Sequence, residues 1–411
     1  MTIQTGGALL ALLLAASAAQ AEPIGYEQAL RAARQDQPRL QAGELRVEGL
    51  RGAADAADEL PDPRLRAGIV NIPVSGPVAF QFDRQLPTQI SVGLEQDIPN
   101  LAKRRARYGL ADADIRMAEA RLGLEERNID VAAGKAWIAL HYAQRRIGLA
   151  REVLTELRKL VPVATNAVAS GSSRPAESLA IRRELLLIED RITVIEAERE
   201  AARAMLARYV GIADPVTEGA APSAAVDGAA LRTAIESNPE LLLADRLRER
   251  ADASVRLARA EKRPDFGMSV SYGRRDPDFG DTVSVMGSVT LPIFASRRQD
   301  PRIASARAEE SAALAEREDR WRALNAQFDA DFARWRSEIR QWQRAREELL
   351  PLANDRASLE TASFAAGRAD LIDVIAARTA LALLQLDILE REGAAVEAAA
   401  TLRLTYGGDA G

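Results

Sequence analysis

The chain contains no cysteine and a single histidine. Disulfides and thiolate metal sites are thereby excluded, and imidazole chemistry has only His141 to draw on. Aromatic residues are scarce, 4% of 411, although hydrophobic residues make up 47%. The apolar share is therefore mostly Ala and Leu, and with 28% charged residues this is the composition of long helices packed closely through small side chains. An excess of one charge is lacking too. A net charge of −5 leaves no basic footprint of the kind that nucleic-acid binding requires. No phosphate loop, zinc spacing or nucleophile–base pattern is present, so an enzyme is not expected, and His141, beside Tyr142 in a helical stretch, reads as a packed residue. Beyond the N-terminus no run reaches the roughly 18 apolar residues of a membrane-spanning helix.

What is present begins with "MTIQTGGALLALLLAASAAQAEP", an apolar run ending in Ala19-Gln20-Ala21. A small-x-small site after such a run is a signal-peptide cleavage signature. Residues 1–21 are therefore expected to be removed, although the first seven residues lack the usual Lys or Arg. Position 22 is Glu rather than Cys, so no N-terminal lipid anchor is expected.

The remainder is written twice. Pro38 and Pro63 stand 25 residues apart, as do Pro239 and Pro264; Gly171 and Gly211 are 40 apart, as are Gly367 and Gly407. Pro162 and Pro351 share a similar setting, "VPVA" and "LPLA", but fall out of register. The spacing predicts a first repeat over 22–211, with a helix, a β-hairpin at about 64–98, a long helix at about 100–170 and a return helix over 174–210. The Pro/Gly/Ala-rich stretch 212–228 reads as a linker. A second repeat over 229–407 has a helix, a hairpin at about 264–292, a long helix at about 300–366 and a return helix over 370–406, followed by a tail, 408–411. The return helices carry heptad-like seams. One runs through Leu185, Ile188, Ile192, Ile195, Ala202 and Leu206; the other runs through Leu381, Leu384, Ile388, Ala395, Ala398 and Leu402.

Period-two alternation marks the strands. "TQISVGLEQDIP", "DFGMSVSYG" and "TVSVMGSVTLP" each put apolar residues on one face and small or polar residues on the other. The strand around Arg64 to Ile72 is the least regular, because Val70 and Ile72 spoil the second face. Such segments fit transmembrane β-strands, yet four cannot close a barrel. Since lipid-exposed strands must close, the chain is expected to oligomerise, and three copies supply twelve strands.

Two acids follow the glycine breaks at equal distance: Glu177 after Gly171 and Asp373 after Gly367. Carboxylates in a first helical turn are favoured by free N–H groups and the macrodipole, and Asp370 with Asp373 has the spacing of a cap and its partner.

Taken together, "LPDPRLRAGIVNIP", "GLEQDIPNLAKRRAR", "LPIFASRRQDPRI" and "LLPLANDRASLETASFAAGRADLIDVIAAR", with the paired glycine-ended helices, resemble the TolC-type outer-membrane efflux proteins over essentially all of 22–411. "RPDFGMSVSYG" and "LPIFASRRQDPRI" are most similar to the cobalt–zinc–cadmium heavy-metal branch. The resemblance implies a mainly α fold with a membrane β part: a homotrimer whose twelve-stranded outer-membrane β-barrel continues into a twelve-helix periplasmic α-barrel. It implies docking onto a periplasmic adaptor (membrane fusion protein) and an inner-membrane proton-driven pump of the resistance-nodulation-division type, with no cofactor. It places Gly171, Gly367 and Arg368 at tip turns where the adaptor binds, and Glu177, Asp370 and Asp373 at the periplasmic aperture, where Ala376 replaces a further acid common in the family. Pore lining and helix capping both remain open for these acids. Lys103, Arg104, Arg105 and Arg107, with Arg297 and Arg298 in the second half, oppose the macrodipole at the starts of the long helices; they face lipid phosphates or a salt-bridged surface. An adaptor or a helical scaffold is the alternative architecture, and drug export or type I secretion the alternative use. An adaptor has one helical hairpin rather than two halves each with a strand pair, and a scaffold does not account for the alternating strands.

Overall fold

The computed structural model describes residues 22–35, 37–77, 79–80, 88–170, 174–275 and 278–407. In chain order the elements are β1 (Glu22–Ile24), α1 (Tyr26–Arg34), α2 (Pro38–Ala57), β2 (Arg64–Val70), β3 (Gln89–Ile98), α3 (Leu101–Arg158), α4 (Leu160–Ala169), α5 (Pro175–Val210) and β4 (Pro215–Thr217). There follow α6 (Gly228–Ala234), α7 (Pro239–Ala260), β5 (Asp265–Arg274), β6 (Thr282–Thr290), α8 (Ala295–Arg344), α9 (Leu350–Ala365) and α10 (Leu371–Tyr406). The chain divides into two compact units. One comprises residues up to Gln37, Asn128–Leu231 and Asp329–Gly407; the other comprises Pro38–Arg127 and Arg232–Phe328.

The first unit is helical, with a core built around Trp137. Its indole is fully buried and Nε1 donates a 2.8 Å hydrogen bond to the carbonyl of Ile24. Tyr26 meets the ring edge-on at 5.4 Å and His141 stacks on it at 4.8 Å. The segment expected to be a plain linker is structured instead: β4 pairs in parallel with β1, Glu22 opposite Pro215. Trp335 Nε1 and Arg403 Nη1 donate to the carbonyls of Ala224 and Ala225. No periodicity announces such a strap, because the protein supplies its hydrogen bonds from outside to a backbone that has no pattern of its own.

Neither long helix is uninterrupted, contrary to expectation. In the first repeat the ladder slips at Lys159, whose N–H bonds to Glu156, three residues back, while φ and ψ stay helical at −65° and −21°. In the second, a π-type turn occupies Ala345–Leu349. Pro162 and Pro351 follow these irregularities closely, and each lacks the N–H that an unbroken ladder needs. The first return seam is buried at Ile188, Ile192, Ile195, Ala202 and Leu206, with Leu185 half-buried. The second holds at Ile388, Ala395 and Leu402 but is broader than expected: Ala382, Leu386, Val396 and Ala399 are buried as well, while Leu381, Leu384 and Ala398 are only partly covered. The cause is that α10 packs against both α9 and α5 and so buries more than one stripe. Where α10 nears α3, Gly393 leaves room for the Tyr142 ring, which a Cβ would meet at 2.9 Å.

The second unit carries a four-stranded antiparallel sheet in the order β2-β3-β5-β6. β2 ends at Val70, two residues short of the expected limit, because Asn71 has a φ of 62° and cannot continue a strand. Ile72, one of the two residues expected to break the alternation, therefore lies outside the strand, while Val70 ends it. α8 starts at Ala295, little more than one turn before the expected 300, so Pro301 sits inside it.

Candidate functional site

The turn into α10 is built from its backbone. α9 ends in a Schellman closure: Gly367 N donates to Phe364 O at 2.9 Å and Arg368 N to Ser363 O at 2.8 Å, with Gly367 at φ 69°. That conformation is left-handed, which is why glycine stands there. Asp370 then occupies the N-cap position of α10, and its backbone N–H faces Asp373 Oδ2 at 3.4 Å, one arm of a capping box. Both acids and Arg368 are exposed. Beneath them Leu371 and Ile375 are buried with Ala164 of α4 and Ile181 of α5, so the end of the first helical pair and the start of α10 share one apolar cluster. Glu177 lies in the first turn of α5; Gly171 falls outside the described residues. Capping thus accounts geometrically for Asp370 and Asp373 while leaving both carboxylates on the surface.

The sheet separates its residues by chemistry. Cross-strand register puts Leu65 opposite Leu94, Val92 opposite Tyr272, Leu94 opposite Val270, Phe266 opposite Val289 and Val270 opposite Val285. All of these are between 40% and 72% exposed, so this face is predominantly apolar and uncovered, with Gln96 and Arg274 its polar members. The opposite face pairs Gly93 with Ser271 and Ser271 with Ser284, and Arg64 and Arg66 bond to Asp97 and Glu95 there. Met286 and Val70 are apolar exceptions on this side. An uncovered apolar face that runs across four strands is a feature soluble monomers rarely carry. Ten residues of strand reach about 33 Å, enough when tilted to cross the roughly 25 Å apolar band of an outer membrane. The outer edges of β2 and β6 have no strand partner among the described residues.

At the foot of the sheet the basic residues divide into two groups. Asn100 caps α3 through its side-chain oxygen, which accepts from Lys103 N at 2.8 Å, and its own N–H and Nδ2 both donate to Asp265 Oδ1 at 2.9 Å. Lys103 Nζ reaches Asp265 Oδ2 at 2.6 Å, and Arg104 Nε donates to Asp58 O at 2.8 Å. These contacts offset the macrodipole for two of the expected cluster. Arg105, Arg297 and Arg298 are exposed, and Arg107 is half-buried.

Sequence reasoning missed a charged network inside the helical unit. The Arg146 side chain, 9% exposed, donates to Glu198 at 2.7 Å and Glu390 at 3.0 Å, and Arg191 joins Glu390 at 2.9 Å. A second ion pair holds the buried Asp130, 5% exposed, to the exposed Arg34 through bonds of 2.5 and 2.9 Å. Arg146, Asp130 and their partners stand among many other surface charges, and nothing in the sequence singles them out. His141 is packed: burial, and then Arg145, pull its pKa below 6.5 against the opposing pull of Glu392. Among the described residues no group of His, Asp and Glu is placed to hold a metal, and no helix is long and apolar enough to cross a membrane.

No curated protein matches the chain. Solved structures do: a membrane protein from Pseudomonas aeruginosa at 16% identity, covering 93% of this chain and 92% of that one with a TM-score of 0.80. CusC, crystallised in conformations that accompany folding and transmembrane channel formation, matches at 15% identity, 93% and 92% coverage and a TM-score of 0.78. The outer membrane protein VceC of Vibrio cholerae matches at 18%, 93% and 96%, with 0.73. At such identities the likeness establishes the fold. Residues 230–408 also match the family model for outer membrane efflux proteins. That stretch is similar to the outer membrane efflux proteins, and its match, together with the shared fold, supports an outer-membrane exit duct that extends into the periplasm.

Proposed function

We propose that the protein is the exit duct of a tripartite efflux system, working as a homotrimer with a periplasmic adaptor and an inner-membrane pump of the resistance-nodulation-division type. The observation that carries this reading is the sheet: one face mostly apolar and exposed, the other mostly small and polar, and both edges without a strand partner among the described residues. Three such sheets joined edge to edge make a closed twelve-stranded barrel with lipid outside and water within. Each of the two repeats contributes one hairpin and one long-helix pair, and three chains close a twelve-helix periplasmic tunnel below the barrel.

The tip turns at Gly171 and Gly367–Arg368 receive the adaptor. Glu177, Asp370 and Asp373, repeated about the threefold axis, ring the aperture with carboxylates and favour cations. Lys103, Arg104, Arg105, Arg107, Arg297 and Arg298 form a belt at the periplasmic leaflet. The cargo we assign is heavy-metal cations, supported by the resemblance of "RPDFGMSVSYG" and "LPIFASRRQDPRI" to the metal branch. A second reading, export of drugs or other organic solutes, is favoured by the lack of any soft-ligand route: five Met, one His and no Cys in the chain. Deleting the gene and scoring resistance to Co²⁺, Zn²⁺, Cd²⁺ and Cu⁺ against a panel of dyes and antibiotics separates the two. Sensitivity to metals alone supports the first, and sensitivity to organic compounds alone rejects it.

A further inference from the structure

At the foot of β5 and β6 a cleft of about 200 Å³ lies between the strand ends and the start of α8. Four cations line it, Lys103, Arg263, Arg298 and Arg302, against two carboxylates, Glu261 and Asp265. Each carboxylate is already engaged, Asp265 by Lys103 at 2.6 Å and Glu261 by Arg302 at 3.4 Å. Arg263 and Arg298 have no carboxylate partner among the described residues, and both are exposed. Two uncompensated guanidinium groups at the rim of one cleft make a site for an anion that can accept planar, paired N–H donors, as a phosphate does.

The apolar part of the lining says which phosphate. Leu291, Ile293 and Phe294 complete the cleft and are 63%, 78% and 65% exposed. Leu291 follows directly on β6, so these side chains continue the uncovered apolar face of the sheet down to the arginines. Free phosphate gains nothing from such a wall, whereas a molecule with an anionic head and hydrocarbon tails matches both parts at once.

We propose that this cleft binds the phosphate of a glycerophospholipid in the periplasmic leaflet, held by Arg263 and Arg298, with the first acyl carbons lying on Ile293 and Phe294. The proposal rests on the reading of the sheet as membrane-spanning, and it fixes the depth at which the barrel sits.

The test is native mass spectrometry of the detergent-purified full chain titrated with dioleoylphosphatidylglycerol. Wild type is expected to retain the lipid, Arg263→Gln with Arg298→Gln to weaken retention at least tenfold, and the Lys pair to recover part of it. Arg307→Gln with Arg336→Gln, two exposed arginines further along α8, is expected to leave it unchanged. Equal retention by wild type and the Gln pair overturns the proposal. So does displacement by millimolar inorganic phosphate, which marks a simple anion site, or equal retention of dioleoylglycerol, which marks a greasy surface only. Outer-membrane fractionation and heat-modifiable migration are scored on the same samples. Wild type that fractionates correctly yet retains no lipid overturns the cleft alone, whereas wild type absent from the outer membrane overturns the membrane reading with it.

Discussion

Arg146 and Glu390, 244 positions apart in sequence, meet at 3.0 Å inside the helical unit and tie α3 to α10. Glu198 of α5 takes the other arm of the guanidinium. The arginine is the buried partner while both acids are about half exposed, so the cost of disruption is asymmetric. Replacing Glu198 and Glu390 together by Ala strands a buried cation and is expected to destabilise by about 3 kcal/mol, whereas Arg146→Met removes the charge along with its need for partners and is expected to cost under about 1 kcal/mol. Thermal melting of the helical circular dichroism signal in detergent distinguishes the two variants.

The turn before α10 separates shape from charge. Gly367→Ala forces a Cβ into a left-handed conformation, with no steric neighbour to aggravate it, and is expected to cost about 1 kcal/mol. Asp370→Asn keeps the cap, since Asn serves there as well as Asp. In single-channel recordings of the Asp370→Asn, Asp373→Asn variant, cation preference is expected to fall with little change in melting temperature. A fall in stability with unchanged selectivity assigns these acids to capping alone.

His141 gives the helical core a pH dependence. Its folded-state pKa lies below the unfolded value of 6.5, chiefly because burial disfavours the charged ring. The unfolded chain therefore binds the proton first. The full contribution is present above about pH 6.5 and is lost as pH falls from there through the folded pKa. The melting temperature is expected to drop between pH 7.5 and 5.5, and His141→Gln to flatten part of that slope.

The strands were legible because a sheet with one lipid-facing side writes its alternation into every second residue, from Phe266 to Tyr272 and again from Val283 to Val289. Gly367 was legible because a helix that reverses in so few residues needs a left-handed position. What escaped was set by tertiary contacts. The slip at Lys159 and the π-type turn at Ala345–Leu349 lie inside continuous helical patterns, and Pro162 and Pro351 marked them only by being out of register. Only part of the buried face of α10 was legible, because a heptad seam describes one neighbour while α10 packs against α9, α5 and α3. The strap formed by β4 and Ala224–Ala225 left no trace, since Trp335 and Arg403 bind its backbone rather than its side chains. The pairing of Lys103 with Asp265 joins residues 162 positions apart and was invisible without the fold.

The absence of cysteine makes the central claim directly measurable. Single cysteines at Val92, Val270 and Val285 on the apolar face, and at Ser91, Ser271 and Ser284 on the other, can each carry a nitroxide label in the reconstituted protein. The account predicts that the valine positions are relaxed by oxygen and shielded from a water-soluble nickel reagent, with the serine positions showing the reverse. Equal aqueous access on both faces, in a chain that stays monomeric without detergent, contradicts it.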